Sequence, residues 1–290
     1  MIDKIKSMSL IKFKATKNDA GRIIFKFLIK QLNNVPISKI EKLFRQKDLK
    51  INGKRISDKS YKLEENDLIE IYGVSDHLKE EVFQKTQILF KVLYEDQNIL
   101  VVDKPINIAI HGEDNCLDWQ VLTYLNYQKH DSFQPSHIGR LDKETSGIMI
   151  YAKTYQALVE LNKKTNFFQK YYELKSDFPW TKKHVVLYAH FDPKTQKRIL
   201  STKENNQKME TIFFKSQNKQ YAQIITGKKH QIRITLAHLN YPIYGDKKYG
   251  GPYAKRLLLH CTKIILNNLE GALEYLNEIA FMSPIKWNIS

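Results

Sequence analysis

Two short, wholly apolar runs constrain what this chain can fold into: Ile99-Leu100-Val101-Val102 and Ile148-Met149-Ile150-Tyr151. Each is too short for a helix and lacks alternation, so each reads as a strand buried on both faces of a packed sheet. The first run follows Ile88, Phe90, Val92 and Tyr94 at alternate positions and a polar Asp96-Gln97-Asn98 turn, which predicts a hairpin. The second follows the stretch His137 to Gly147, HIGRLDKETSG, and so holds Asp142 on a loop at the lip of the sheet. Loops on rigid scaffolds often carry chemistry, although an aspartate in front of a Thr-Ser-Gly turn also serves simply to bond its own turn.

With 290 residues the chain has room for one large domain and a smaller one. Charge separates them. The formal excess is +16, and residues 1 to 73 alone hold 17 basic against 9 acidic side chains, which suggests a dedicated polyanion-binding module at the front. A membrane fits less well, because no apolar run approaches the ~20 residues that span one and the start lacks a signal-like apolar core. Cys116 and Cys261 stand far apart without CxxC spacing, so a reducing, cytoplasmic setting fits and neither zinc nor a disulfide framework is indicated.

Within that front region, Gly21 to Leu32 puts Ile24, Phe27, Leu28 and Leu32 on one helical face while Arg22, Lys26 and Lys30 recur on another. After Pro36, Ser38 and Glu41 have capping-box spacing and start a second helix that buries Ile40, Leu43 and Phe44 and exposes Lys39, Lys42 and Arg45. Asn52-Gly53 is the residue pair that accepts positive φ at both centres of a hairpin turn, and Asp67 to Tyr72 reads as the closing strand. Residues 74 to 86 are polar and aperiodic, a linker, and residues 87 to 290 are taken as one domain without internal repeats. Asn115 to Lys129 and Tyr155 to Asn166 have helical spacing. His184 to Phe191 and Met209 to Phe214 read as strands, with Lys194 to Gln207 between them as a basic loop, taken as solvated rather than RNA-bound.

Arg140-Leu141-Asp142-x-x-Thr145-Ser146-Gly147, with Ala152-Lys153 closing the next strand, resembles the signature of the RluA-type pseudouridine synthases. The resemblance extends over roughly residues 88 to 266. It includes Lys104-Pro105 with His111, Lys170-x-Tyr172, Gly227-Lys228-x-His230-Gln231-Ile232-Arg233, the Tyr241 to Gly250 turn and Leu259-His260. The front region resembles the ribosomal-protein-S-four-like RNA-binding module that often precedes such synthases. The chain departs from the pattern at Gly139, where His is usual, at Asn107 for Gly, at Lys228 for Arg, and at Arg22-Ile23-Ile24, where the front module usually reads Arg-Leu-Asp.

The resemblance implies an α+β fold: a mixed, mostly antiparallel sheet with flanking helices, plus a small α/β RNA-binding domain at the N-terminus. It implies that Asp142 is the catalytic nucleophile, that Arg233 pairs with its carboxylate, and that Tyr172 joins them in the active site. Tyrosine suits either packing against a flat uracil or work as a general base. Arg140, His111, Lys228 and Gln231 fall to the substrate. His230, His238 and His260 share no ligand-like spacing with Cys, Asp or Glu, so they are taken as structural or RNA-facing, and Trp287 carries no functional signal.

The chemistry then expected is breakage of a uridine's glycosidic bond and reattachment through carbon, with no cofactor and no metal. An ionised Asp142 beside a guanidinium meets that need, whether it attacks the sugar, attacks the ring or assists elimination. A stacked uridine hides the bond, so the nucleotide must leave its stack, with Arg140 filling the gap. The expected partner is structured RNA, large-subunit ribosomal RNA first and transfer RNA next, and a monomer is the default. A non-catalytic RNA-binding or ribosome-assembly protein is the competing class, disfavoured because simple RNA binding gives no reason to face phosphates with a carboxylate. An RNA methyltransferase is set aside for want of a Gly-x-Gly cofactor turn.

Overall fold

The computed structural model describes residues 10–74, 85–180, 182–192, 197–201 and 206–287. Most of the residues expected to form a linker lie outside these. Two compact units result: Met1–Gln84 with Tyr127–Gln134 and Thr154–Gln156, and Lys85–Asn126 with Pro135–Lys153 and Ala157–Ser290. Membership of the two later segments in the first unit has no local signal in the sequence.

In the first unit, β1 (Leu10–Lys14), α1 (Ile24–Gln31), α2 (Ile37–Gln46), β2 (Leu49–Ile51), β3 (Lys54–Arg55) and β4 (Leu68–Tyr72) follow in order. The strands make an antiparallel sheet in the order β1-β4-β2-β3. Ile24, Phe27 and Leu28 of α1 and Ile40, Leu43 and Phe44 of α2 are buried with Leu49, Ile69 and Ile71, so the helical spacing and the strand alternation meet in one core. Asn52 and Gly53 both have positive φ, 49° and 78°, as the hairpin requires.

Two expectations for this unit need correction. Ser38 is not a cap: α2 begins at Ile37 with Pro36 at its N-cap position and no side-chain cap bond. Nor does Arg22 stand on an exposed basic face. It is buried, and its guanidinium donates to the carbonyl of Ser132 at 2.6 Å and to the Ser132 hydroxyl at 2.7 Å. It also lies 4.3 Å from the Tyr155 ring centre, and Asp19 accepts from the Ser132 amide. Lys26, Lys30, Lys39, Lys42 and Arg45 are exposed.

The second unit starts with the hairpin β5 (Lys91–Glu95) and β6 (Ile99–Lys104), then α3 (Leu117–Tyr124), β7 (Ser136–Ile138), β8 (Ser146–Ala152), α4 (Tyr155–Lys164) and β9 (Gln169–Leu174). It continues with β10 (Lys183–Asp192), β11 (Lys197–Ser201), β12 (Gln207–Ser216), β13 (Lys219–Ile224), α5 (Gln231–His238), β14 (Leu259–Ile265) and β15 (Ala280–Met282). One sheet runs β11-β10-β12-β13-β9-β14-β8-β6-β5, with β15 beside β14 and β7 beside β8. The two apolar runs are interior strands of it, β6 and β8, near the β5 edge. Ile99, Val101, Ile148 and Ile150 face one core, which α4 and α5 cover, while Leu100, Val102, Met149 and Tyr151 face a second under α3. At about 1.5–3 kcal/mol for each fully buried large side chain, these strands anchor the domain.

Three local expectations differ from what forms. The alternation of β5 is broken by a register shift between Val92 and Tyr94, and Val92 is exposed. The helix expected over Asn115 to Lys129 is shorter, ending before the segment that joins the first unit. Part of the Lys194 to Gln207 stretch is strand β11, paired with β10; residues 193–196 and 202–205 lie outside the described residues.

All described pairings in the large sheet are antiparallel save one, β14 with β8, at His260 opposite Ser146 and Cys261 opposite Gly147. This seam explains the glycine of the Thr-Ser-Gly turn. Gly147 has φ 115°, and a Cβ there would come within 2.3 Å of the Cys261 carbonyl oxygen. Next to it, the Ser146 hydroxyl accepts from Arg256 Nη2 at 2.6 Å and bonds His260 Nδ1 at 2.8 Å. Trp287, silent in the sequence, packs edge-on to His260 and under Arg256.

Candidate active site

The loop between β7 and β8 carries Asp142 into a cleft of about 790 Å³, which Tyr172, Lys170, Thr145 and the Thr226–Arg233 segment also line. The Asp142 carbonyl accepts from the Thr145 amide at 3.0 Å, so the main chain closes the turn and the carboxylate is left for the cleft. The loop is braced from behind. Buried Lys104, at the end of β6, donates to the carbonyls of Pro105, Ile108 and Lys143 at 3.0, 2.9 and 3.2 Å. Burial pulls its pKa down to about 7, against the nearby Asp142 charge. Three acceptors match the three N–H groups of an ammonium, so the geometry favours the charged form more than burial alone would allow.

Across the cleft, α5 presents Arg233, only 2% exposed, from its first turn. Its Nη1 lies 3.5 Å from Asp142 Oδ2, but its stronger bonds go elsewhere. Nε and Nη2 donate to the two oxygens of buried Asp246, each at 2.8 Å, and Nη2 also lies 2.9 Å from Glu144. Asp246 Oδ1 accepts further from the amides of Lys248 and Tyr249. The sequence reading gave Arg233 one partner, Asp142; the fork is held by a carboxylate that the sequence showed only as part of a glycine-bearing turn.

Three carboxylates around one guanidinium fix the electrostatics. Burial raises the Asp142 pKa, and the repulsion of Glu144 adds to it, more than Arg233 and Lys229 lower it. The acid at the heart of the cleft is therefore held at a cost in its charged form. Arg233 is pushed the other way, its pKa raised as the hydrogen bonds and charges of its carboxylates outweigh burial.

His230 stands 3.5 Å from Asp142 through Nε2 and 2.8 Å from the Tyr249 hydroxyl through Nδ1. Burial, with Arg233 and two lysines nearby, lowers its pKa to about 3. It is thus neutral at ordinary pH, so it meets Asp142 as an uncharged imidazole and not as a cation. Its backbone is left-handed, φ 58° and ψ 20°, at the N-cap position of α5. A non-glycine residue held there stores strain, which tends to concentrate at functional sites.

The remaining expected site residues separate into groups. Tyr172 lines the cleft at 7% exposure, and burial raises its hydroxyl pKa well above the usual tyrosine value. Arg140 is exposed and Lys228 half-buried along the cleft. Gln231 lines it too, yet its amide is engaged by the scaffold: Nε2 donates to the Glu210 carbonyl and Thr211, while Oε1 accepts from Thr226 and the Lys228 amide. His111 does not line the cleft; it stacks on His137 with ring centres 5.7 Å apart. Gly139 sits at φ 70°, and a Cβ there would find only the ammonium of Lys170, at 3.8 Å. Asp246, Glu144, Lys104, His230 and Lys170 are the site residues that sequence spacing missed. Each acts through a partner 30 or more residues away or lies in a motif read for its glycine. Among the described residues no group of three or more His, Cys, Asp or Glu is placed to hold a metal ion, and no helix is long and apolar enough to cross a membrane.

The family model for RNA pseudouridylate synthase matches residues 98–238. A Mycoplasma capricolum subsp. capricolum protein described as an uncharacterized RNA pseudouridine synthase is 37% identical across 96% of this chain and 99% of its own. The chain belongs to the RNA pseudouridylate synthase family. A Pasteurella multocida relative, ribosomal large subunit pseudouridine synthase C, is 28% identical over 90% of this chain and 87% of that one. The solved human RNA pseudouridylate synthase domain containing 1 superposes with a TM-score of 0.56 at 18% identity, covering 68% of this chain and 84% of that chain, which shows a shared fold. The matched region contains Asp142, Tyr172 and Arg233, while Leu259, Cys261 and Ile264 of the cleft lie beyond it.

Proposed function

We propose that this RNA pseudouridine synthase acts through Asp142 on a uridine drawn out of structured RNA, and that the RNA is that of the large ribosomal subunit. The observation that carries the reading is the setting of one carboxylate: it lines a cleft, 3.5 Å from a guanidinium that Asp246 holds in place and 3.5 Å from a neutral imidazole. Such a carboxylate is costly to ionise and therefore ready to be spent on a bond or a proton when substrate excludes water.

The steps follow from the chain's own groups. A uridine leaves its stack, at a cost of a few kcal/mol, and Arg140 takes the vacated space with its flat cation. Lys228 supplies charge for phosphate, and Gln231 fixes the loop that bears it. Asp142 meets the sugar or ring as the carbon–nitrogen bond opens. Tyr172, whose phenol stays protonated, serves as a wall for the loosened uracil, and the general-base alternative is the weaker one because a phenolate would be buried. The uracil turns and rejoins through carbon, and the proton that this carbon finally loses is balanced by the one that the freed ring nitrogen takes up, so no atom is gained or lost.

The ribosomal assignment is supported by the printed names of several relatives, each a ribosomal large subunit pseudouridine synthase C. The first unit is proposed as the S-four-like RNA-binding module, on the strength of five exposed cations along its two helices.

The test is conversion of uridine to pseudouridine in protein-free ribosomal RNA and in transfer RNA, mapped at nucleotide resolution, by wild type and Asp142→Asn. Product in ribosomal RNA with wild type and none with the variant, at RNA affinity unchanged within a few fold, is expected. Turnover by Asp142→Asn refutes the role of Asp142, and product only in transfer RNA refutes the substrate.

A further inference from the structure

Four buried side-chain polar atoms among the described residues have no hydrogen-bond partner: Asn33 Nδ2, Thr145 Oγ1, Thr235 Oγ1 and Trp287 Nε1. Of these residues only Thr145 lines the cleft. It is 2% exposed, and its amide bond to the Asp142 carbonyl, 3.0 Å, sets both side chains on one turn. The adjacent Ser146 hydroxyl shows what the scaffold does when it needs a hydroxyl for itself, binding it to both Arg256 and His260. Thr145 receives no such partner. A buried hydroxyl left unsatisfied at the wall of a cleft is a group open to a ligand atom.

We propose that Thr145 Oγ1 hydrogen-bonds the ribose 2′-hydroxyl of the nucleotide held in the cleft, and so makes the site read ribose as well as uracil. The proposal rests on the reading above that the sugar lies beside Asp142. The chemistry then selects the partner. During the reaction the uracil comes loose and turns, so a donor fixed to its carbonyls would have to let go, whereas the sugar stays. On that sugar the 3′ and 5′ oxygens are phosphate esters without a proton. The 2′-hydroxyl is the ribose group within the chain that both donates and accepts, as a threonine hydroxyl does, and it sits one carbon from the bond being cut. Recognition of that group is how a protein separates RNA from DNA at a given site.

A double-mutant cycle across enzyme and substrate tests it. Single-turnover rates are measured for wild type, Thr145→Val and Thr145→Ser on a target RNA carrying either uridine or 2′-deoxyuridine at the modified position. Thr145→Val is expected to slow the ribose substrate roughly tenfold, about one hydrogen bond's worth. Wild type is expected to slow by a similar factor on the deoxy substrate, with no further loss when the two changes are combined. Thr145→Ser, which keeps the hydroxyl, should stay within about threefold of wild type. Equal Thr145→Val penalties on both substrates would mean that the variant only disturbs the turn, and would overturn the proposal, as would no penalty on either. Asp142→Asn is run alongside on the ribose substrate. Its turnover would remove the underlying reading through a different variant, so the two failures are told apart.

Discussion

Arg233 and Asp246 are locked fork to fork, Nε and Nη2 at 2.8 Å from opposite oxygens of a carboxylate that is wholly buried. This pair sets where Nη1 points, and Nη1 is the nitrogen that meets Asp142. Removing one partner of a buried pair costs about 3–5 kcal/mol when nothing else compensates the charge left behind; here Asp142 and Glu144 still face the guanidinium, so the loss falls toward the lower end of that range. Asp246→Ala is therefore expected to lower the melting temperature by roughly 10 °C and to abolish product, although Asp246 does not line the cleft. Normal activity in an Asp246→Ala protein that is destabilised but still folded would show that the guanidinium needs no such anchor.

Asp142 pulls stability the opposite way. Its pKa is raised by burial, so the folded protein binds its proton more tightly than the unfolded chain does. Stability contributed by this group is thus highest below the ordinary aspartate value of 3.8, where both states are protonated, and falls as pH rises until the folded carboxyl has ionised. Asp142→Asn, which cannot ionise, should melt higher than wild type at pH 7 and lose that advantage as the pH approaches 3.8. Calorimetry at the two pH values checks the sign, and a variant that melts lower at pH 7 would mean that the arginine pairing outweighs burial.

The imidazole beside that carboxylate makes a separate prediction. With its pKa near 3, His230 does not change charge in the neutral range. A single-turnover rate profile should therefore fall on the acid side with Asp142 and show no inflection near the ordinary histidine value of 6.5 that belongs to His230. If such an inflection exists in wild type and disappears in His230→Gln, the imidazole is cationic when it works and its assignment here is wrong.

For the first unit, the exposed cations and the buried one predict different behaviour. Replacing Lys26, Lys30, Lys39, Lys42 and Arg45 by Gln should weaken RNA binding and flatten its dependence on salt, by up to about 0.7 in logarithmic slope for each contact with single-stranded phosphate. Arg22→Ala should leave that slope alone and destabilise the unit by about 2 kcal/mol, because it strips a buried serine of a charged donor. Filter binding across a salt series, with a thermal melt of each variant, separates the two.

Much of this was open to inspection in the sequence, and the rest was hidden for identifiable reasons. Runs such as Ile148 to Tyr151 and pairs such as Asn52-Gly53 declare themselves because their constraints are local: burial on two faces, or positive φ at two adjacent residues. The Asp142 loop was legible as a motif, and the role of its glycine was not, since the need for it comes from the Cys261 backbone. Asp246 escaped because a carboxylate in a glycine-bearing turn looks like any turn aspartate until α5 brings a guanidinium to it. Arg22 escaped because Ser132, its partner, lies 110 residues on. The Ser38–Glu41 spacing misled for the opposite reason: a local pattern was present, and Pro36 started the helix first.

The lone parallel pairing, at Gly147 and Cys261, also bears on when the enzyme comes into being. β14 is the strand that joins β9 to β8, and so fastens the two parts of the sheet to one another. It leaves the ribosome more than a hundred residues after the loop bearing Asp142. Contacts this distant along the chain form slowly, after their loop has closed. Until β14 has emerged and paired, a nascent chain that already displays its acid and its tyrosine lacks the stretch of wall that Leu259, Cys261 and Ile264 supply, so the complete cleft is a late product of folding.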